Sequence, residues 1–237
     1  TFDTDEDTMR KLWENYYVPM VQGHFGAYGK FRSDDVKTGD LIALVGSTSG
    51  AAYFPTQVTI NDTESYQIET LVLPPPVFKD GSPYAVQQGA GMVVTKSTPE
   101  EEAACVTFLK WFTQPENNIQ FAVGSGYLPV THAADDMTAI ENSGLDLTDS
   151  MKDILANAID AVENHELYTP KPFEGGTDAR KVLEYSMSDL ASADRAAVEE
   201  QIAAGVSAAE AEALYLTDEY FENWYQSLCA KLRAYEG

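Results

Sequence analysis

The sequence predicts an α/β fold whose C-terminal part is rich in helices, and three observations lead to this prediction. Short apolar runs bounded by glycine or proline, the pattern of strands buried on both faces, occur in the N-terminal half. Segments with apolar residues at helical spacing alternate with these runs and then dominate the chain. The apolar runs are not joined as consecutive hairpins, which favours α/β over all-β architecture. The 237 residues suffice for one large or two small domains.

The first predicted element is an amphipathic helix over residues 5–21. Its first turn is acidic, which suits the positive end of the helix dipole, and its aromatic residues are predicted to be core. The polar, glycine-rich residues 24–39 that follow are predicted to be a loop with a short helical turn. The apolar positions of the helix are Met9, Leu12, Trp13, Tyr16 and Met20.

Three strands are predicted. Residues 41–45 form a wholly apolar run between two glycines, as expected for a strand buried on both faces. Residues 66–73 form the second strand, which ends at the stiff extended run of prolines 74–76. Residues 92–95 form the third, directly after the glycine-rich residues 89–91.

The helices that follow have recognisable ends. Thr98, Pro99 and Glu101 form a capping box with proline at the first helical position, and Cys105, Leu109 and Phe112 share one face of that helix. The other predicted helices are one from Pro115 to a glycine end at Gly124 and Gly126, an amphipathic one over 151–162, one capped by Thr177 and reaching residue 190, one over 192–214 that breaks at Gly205 and restarts at Ser207, and one over 217–235.

The charge of the chain excludes several classes of partner. With 38 acidic and 15 basic residues the net charge is −23, so the chain repels nucleic-acid backbones and anionic membrane surfaces. No segment approaches the roughly 20 apolar residues of a membrane span. The adjacent carboxylates at 34–35 and 135–136 are predicted to be solvated and do not form a general acid–base pair.

The cysteines and histidines do not predict a metal site. Cys105 and Cys229 stand at apolar positions of helical patterns and are predicted to be free, buried thiols, with a long-range disulfide as the alternative. His24, His132 and His165 lie far apart in the sequence and near neither cysteine. We expect no metal and no cofactor.

The loop Gly46-Ser47-Thr48-Ser49-Gly50, which follows the first predicted strand, has three interpretations. As a nucleophile elbow it would place Thr48 at the centre, but no histidine with an attendant carboxylate is apparent, so catalysis is disfavoured. As a binding loop it would offer hydroxyls and backbone N–H groups to sugar hydroxyls or a phosphate. As a plain turn it would have no function.

Two further motifs are candidates for ligand contact. Residues 88–91, Gln-Gly-Ala-Gly, carry only the front of a dinucleotide fingerprint, because Val94 stands where its third glycine is needed. Glycines there more often mark a bulge or a close approach by backbone or ligand. In the turn Gly126-Tyr127-Leu128-Pro129, Tyr127 is placed to stack on a sugar face or to donate its hydroxyl, although core packing explains it equally well.

The order of these motifs resembles the extracellular solute-binding proteins of ABC importers, in the group that binds sugars and related polyols. The resemblance is carried by the S-T-S-G loop, the G-A-G segment, the run TQPENN and the turn GSGYLPV, and it is most specific over residues 38–133. Within the group, these motifs look most like those of glycerol-3-phosphate and oligosaccharide binders.

The resemblance implies a periplasmic-binding-protein-like (type II) fold of two α/β lobes, here truncated. Residues 1–73 and the helical return 132–237 would belong to the second lobe, and residues 74–131 would cross the hinge and complete the sheet of the first. The chain would be the later portion of such a protein, with the secretion signal, the lipid-anchor cysteine and most of the first lobe before Thr1. The whole protein would sit outside a bacterial cell, anchored to the outer face of the membrane.

The resemblance also assigns ligand-binding residues. Ser47, Thr48 and Ser49 match the second-lobe loop that contacts ligand hydroxyls or phosphate. Gly89 and Ala90 match a glycine pair whose backbone approaches the ligand, although Gln88 replaces its usual first glycine. Tyr127 matches the aromatic residue of the Gly-Tyr-Leu-Pro turn.

The expected function is capture of a carbohydrate, a sugar or oligosaccharide, and its delivery to ABC permease subunits, without enzymatic chemistry. Glycerol-phosphate binders use an arginine in a segment comparable to residues 171–176, which read Lys-Pro-Phe-Glu-Gly-Gly. Lys171 or Arg180 would have to replace that arginine, so a polyol phosphate is the alternative ligand. A non-enzymatic interaction module is the other alternative, and unpaired sheet edges would let the chain self-associate.

Overall fold

The structure is a computed structural model that describes residues 2–236 of the chain. These residues form two compact units. The terminal unit contains residues 2–27 and 171–236, and the central unit contains residues 28–170.

The helices and strands are numbered in chain order. A π-helical turn, Trp13–Tyr17, joins α1 to α2, so residues 6–21 are helical throughout. The elements are α1 Glu6–Leu12, α2 Val18–Val21, α3 Arg32–Lys37, α4 Thr48–Ala51, β1 Gln57–Asn61, β2 Glu64–Gln67, β3 Tyr84–Val86, α5 Pro99–Phe112, α6 Pro115–Ser125, α7 Met137–Glu141, α8 Asp149–Asn164, β4 Glu166–Tyr168, α9 Gly176–Ala203, α10 Ala208–Glu212 and α11 Asp218–Arg233.

Local chemistry at the helix ends agrees with the sequence predictions. Asp5 accepts a hydrogen bond from Thr8 N at 2.9 Å and caps α1. Thr98 and Glu101 form the reciprocal capping box of α5, and Ser207 and Thr217 cap α10 and α11. The two helices predicted to end at residue 190 and to start at residue 192 are one continuous helix, α9. The prediction that Thr177 caps the first of them is wrong, because α9 already begins at Gly176.

The core of the terminal unit is aromatic and contains one buried polar network. Trp13 and Tyr17 stack with ring centroids 3.6 Å apart, and both pack against α11. The Tyr17 hydroxyl donates to Asp194 Oδ2 at 2.5 Å, and the Tyr220 hydroxyl donates to the same oxygen at 2.9 Å. One carboxylate on α9 thus ties the first helical segment to α11.

The core of the central unit lies between α6, α7 and α8, around Ile119, Ile140 and Leu155. Asp35 is also buried, contrary to its predicted solvation. It pairs with Arg32 at 2.8 Å and accepts from Gly29 N at 2.6 Å, so both charge and hydrogen bonding compensate its burial.

The strand predictions are largely wrong. Residues 41–45 and 92–95 form no strand, and Ile42 is 97% exposed. The pattern of residues 66–73 corresponds only to β2, which pairs antiparallel with β1 in a hairpin that the sequence analysis did not predict. β3 and β4 are parallel, with α5 to α8 between them in sequence, and this is the α/β feature that the fold retains.

Much apolar surface of the central unit is uncovered. Its exposed large apolar side chains include Ile42, Leu71, Val93 and Phe108. Helix α5 has no buried residue, and Cys105, predicted to be buried, is exposed on it; Cys229 is partly buried. We call the groove between α5 and residues 92–94 the α5 groove; it is lined by Met92, Val93, Val94, Ala104, Cys105, Phe108 and Leu109.

Candidate functional site

The candidate binding loop is a capped helix start. Ser47 precedes α4, and its hydroxyl accepts from Gly50 N at 3.1 Å while sharing a hydrogen bond of 3.2 Å with the Ser49 hydroxyl. Ser47 is exposed, and Thr48 and Ser49 are half-buried. Among residues 2–236, no histidine or carboxylate is hydrogen-bonded to these three hydroxyls.

The Gly-Tyr-Leu-Pro turn is held by α6 and the core of the central unit. Helix α6 ends in left-handed Gly126, with a φ of 73°, whose N–H donates to the Ala122 carbonyl at 2.9 Å. Leu128 packs into the core of the unit, and the buried Asn118 accepts from Val130 N at 2.7 Å. The turn is therefore anchored on both sides of Tyr127.

Gly126 brings the loop and the turn together. A Cβ at this position would lie 3.0 Å from Ser49 Cα and 3.1 Å from the Thr48 carbonyl oxygen. Such distances leave room only for glycine, so the backbones of the two segments touch. The hydroxyl loop and the aromatic turn are thus adjacent within the central unit.

Tyr127 projects from this surface. Its side chain is 40% exposed, and its ring centroid lies 6.0 Å from that of Phe121, which is also exposed. An exposed aromatic face beside hydroxyl groups is the combination that binds a sugar ring, because the ring stacks on the aromatic face while its hydroxyls find hydrogen-bond partners. Residues 46–51 and 125–129 contain no charged side chain, so the surface suits a neutral ligand.

The other nominated residues lie elsewhere. Gly89 and Ala90 are exposed and follow β3, and a Cβ at Gly89 would meet no atom within 4 Å, so no backbone crowds that glycine. Lys171 and Arg180 are exposed residues of the terminal unit. The structure brings Thr48 and Ser49 against the turn that carries Tyr127, and Ser47 is hydrogen-bonded to Ser49.

Sequence reasoning missed three supporting residues. Asn118 orients the turn, Phe121 flanks the tyrosine ring, and Gly126 makes the close contact in addition to ending its helix. Asn118 gave a usable signal, since a polar residue on the apolar face of a helix needs a buried partner. Phe121 and the contact at Gly126 depend on tertiary placement and left no local signal.

The described residues offer few other sites. In residues 2–236 no three histidine, cysteine or acidic side chains gather within reach of a common metal ion. None of the helices in that range is long and apolar enough to cross a bilayer.

Comparison with known proteins gives one match. Residues 4–145, more than half of the chain, match the family described as bacterial extracellular solute-binding protein. Searches of curated proteins and of solved structures gave no match. The matched range contains both the hydroxyl loop and the aromatic turn.

Proposed function

Because the chain belongs to the bacterial extracellular solute-binding protein family, we propose that it captures a carbohydrate, a sugar or oligosaccharide, for an ABC importer. Proteins of this family bind substrates for transporters and are not enzymes. Family membership therefore confirms the expectations of solute binding, extracellular location and no enzyme activity. The carbohydrate and the lipid anchor are the finer parts of the proposal.

The contact between the hydroxyl loop and the Tyr127 turn carries the proposal. It brings the backbone of Thr48 and Ser49 against the turn that carries the exposed Tyr127, and neither segment contains a charged side chain. Ligand hydroxyls would bond to the loop, and a sugar face would stack on the tyrosine. Gly89 and Ala90 follow β3, and we propose that their backbone contacts the ligand as well when the two lobes close.

A polyol phosphate of the glycerol-3-phosphate type is the alternative ligand. A phosphate needs cationic partners, and the candidates are Lys171 and Arg180 of the terminal unit. With a net charge of −23 and an uncharged loop and turn, the chain suits a neutral sugar better.

The proposed mechanism is capture by closure of two lobes about a hinge, followed by docking of the closed form on permease subunits. We assign residues 1–73 and 132–237 to the second lobe and residues 74–131 to the first. The exposed apolar side chains of residues 74–131, among them Met92, Val93, Phe108 and Trp111, support this assignment, because they need a further layer of polypeptide to cover them.

Maltotriose is expected to raise the melting temperature of the chain in a concentration-dependent way, since a ligand of the native state stabilises it by mass action. Tyr127→Ala should weaken maltotriose binding by up to about tenfold, because it removes the stacking face. Calorimetric titration measures the affinity of the unchanged chain and of Tyr127→Ala, and Tyr28→Ala, which removes another exposed tyrosine outside the loop and the turn, is the control.

Equal affinity of Tyr127→Ala and the unchanged chain would contradict the site. A melting-temperature shift with glycerol 3-phosphate but not with maltotriose would favour the polyol phosphate instead. No shift with either compound, in a folded chain, would favour the interaction module, for which the uncovered surface of the central unit is the supporting observation.

The chain alone is expected to self-associate through the α5 groove. A groove of about 500 Å³ lined by apolar side chains adjoins residues 88–95, whose backbone pairs with no strand among residues 2–236. Light scattering after size exclusion should show a dimer or larger species, and Phe108→Lys should shift it toward monomer. Phe25→Lys, which charges a similarly exposed phenylalanine of the terminal unit, should not. The prediction would be contradicted if the unchanged chain were monomeric, or if Phe108→Lys and Phe25→Lys changed the oligomeric state equally.

A further inference from the structure

A groove of about 580 Å³ lies between α9 and α11 in the terminal unit. The two helices are antiparallel, because Tyr220 at the start of α11 donates to Asp194 late in α9, while a Cβ on Gly175 at the start of α9 would lie 3.1 Å from the ring of Tyr235, just after α11. This volume is within the range of small-molecule sites, roughly 300–1000 Å³. The groove belongs to a different unit from the loop and turn described above.

Both walls of the groove carry buried polar groups without partners. Trp224 on α11 is 7% exposed, and its Nε1 has no hydrogen-bond acceptor within residues 2–236. The Ser186 hydroxyl, on the facing helix, is buried and equally without a partner in that range. An indole N–H can only donate, so it needs an acceptor. Buried unsatisfied groups are rare in folded proteins, and both of these belong to residues that line the groove.

Two lysines meet at one end of the groove. Lys181 lies in the second turn of α9 and Lys231 in the last turn of α11, so the antiparallel arrangement puts them at the same end. Lys181 has only an exposed ion pair with Asp178 at 3.3 Å, and Lys231 has no ion pair among residues 2–236. In a chain of net charge −23, this end is a local concentration of positive charge that suits an anion.

The remainder of the groove limits the ligand further. Tyr185 and Trp224 line its middle, which favours a flat apolar body. Asp189 lies eight residues after Lys181, roughly 12 Å along the helix, and repels an anion from the other end. The anionic group of a ligand therefore points toward the lysines.

We propose that this groove binds a small aromatic carboxylate, a ligand class separate from the carbohydrate of the proposed function. The carboxylate lies between Lys181 and Lys231, and the ring packs against Tyr185 and Trp224. Binding at this groove requires neither the hydroxyl loop nor Tyr127.

The test is a titration of the full ¹⁵N-labelled chain with 4-hydroxyphenylacetate, followed through the tryptophan indole N–H resonances. Trp224→Phe identifies its resonance by deletion. We expect a saturable shift of that resonance, and the neutral analogue 4-hydroxyphenethyl alcohol should bind at least about tenfold more weakly, because it lacks the charge that the lysines bind.

Variants separate this site from general charge attraction. Replacing both groove lysines, by Lys181→Gln with Lys231→Gln, should weaken 4-hydroxyphenylacetate binding by about tenfold or more. Lys152→Gln removes a lysine of the central unit and should change nothing. The backbone resonances of each variant report whether it is folded.

Three results would overturn the proposal: no saturable shift of the Trp224 resonance at millimolar ligand, equal binding of the neutral analogue, or unchanged binding by the double lysine variant. None of them bears on maltotriose binding, so failure here is distinguishable from failure of the proposed function.

Discussion

Gly126→Ala is expected to weaken solute binding by about tenfold or more and to lower the free energy of unfolding by about 2–4 kcal/mol. Two costs add up. Alanine disfavours the left-handed backbone at a φ of 73°. Its Cβ would also lie 3.0 Å from Ser49 Cα, so the loop or the turn must move and the hydroxyls separate from Tyr127. Urea unfolding and calorimetric titration with maltotriose measure the two effects.

Gly144→Ala is the matched control for that substitution. Gly144 lies in the same unit and has a φ of 77°, but a Cβ there would meet no atom within 4 Å. It should therefore show only the backbone cost, about 1–2 kcal/mol, and keep its affinity. If the two variants lose equal stability and equal affinity, close contact at Gly126 does not organise the site.

Asp194→Ala is expected to lower the free energy of unfolding by about 2–4 kcal/mol, the largest effect of any single polar side chain in the terminal unit. The substitution leaves the buried Tyr17 hydroxyl without an acceptor and removes the partner of Tyr220. Urea unfolding followed by tryptophan fluorescence measures the loss. Asp189→Ala, on the exposed side of the same helix, should change stability by less than about 0.5 kcal/mol.

A double-mutant cycle with Tyr17→Phe tests the physical reason. Phenylalanine needs no acceptor, so the double variant should be less destabilised than the sum of the two single variants. Additive losses would show that Asp194 acts through packing and not through the hydroxyl.

The pH dependence of the same network supplies a second readout. Burial and the bond to Asp194 raise the pKa of Tyr220 to about 12 and raise the pKa of Tyr17 further. Because the unfolded tyrosines lose their protons near pH 10, the stabilisation is complete below that pH. It is lost as the pH rises from 10 toward 12, and Tyr17→Phe should flatten this part of the melting-temperature profile.

Helix ends could be predicted because capping is chemistry between neighbours in sequence. Thr98 with Glu101, Ser207 and Thr217 each bond a backbone N–H three residues away, so their patterns predict the starts of α5, α10 and α11. Gly126 ends α6 for an equally local reason, its left-handed backbone.

Strands could not be predicted in the same way, since a strand needs a partner that is remote in sequence. Residues 41–45 are apolar enough for burial, but no strand among residues 2–236 pairs with them. The β1–β2 hairpin was missed for the opposite reason. Its strands are mostly polar, and its turn contains no glycine.

The sequence by itself determined the helices, the family and the residue types of the candidate site, because capping, apolar periodicity and motif order are properties of local sequence. Only the tertiary structure decided that Thr48 and Ser49 touch the Tyr127 turn, and that Asp194 joins Tyr17 to Tyr220. These contacts join residues about 26 to 177 positions apart, and their energies depend on which backbones and side chains the packed core brings within a few ångströms.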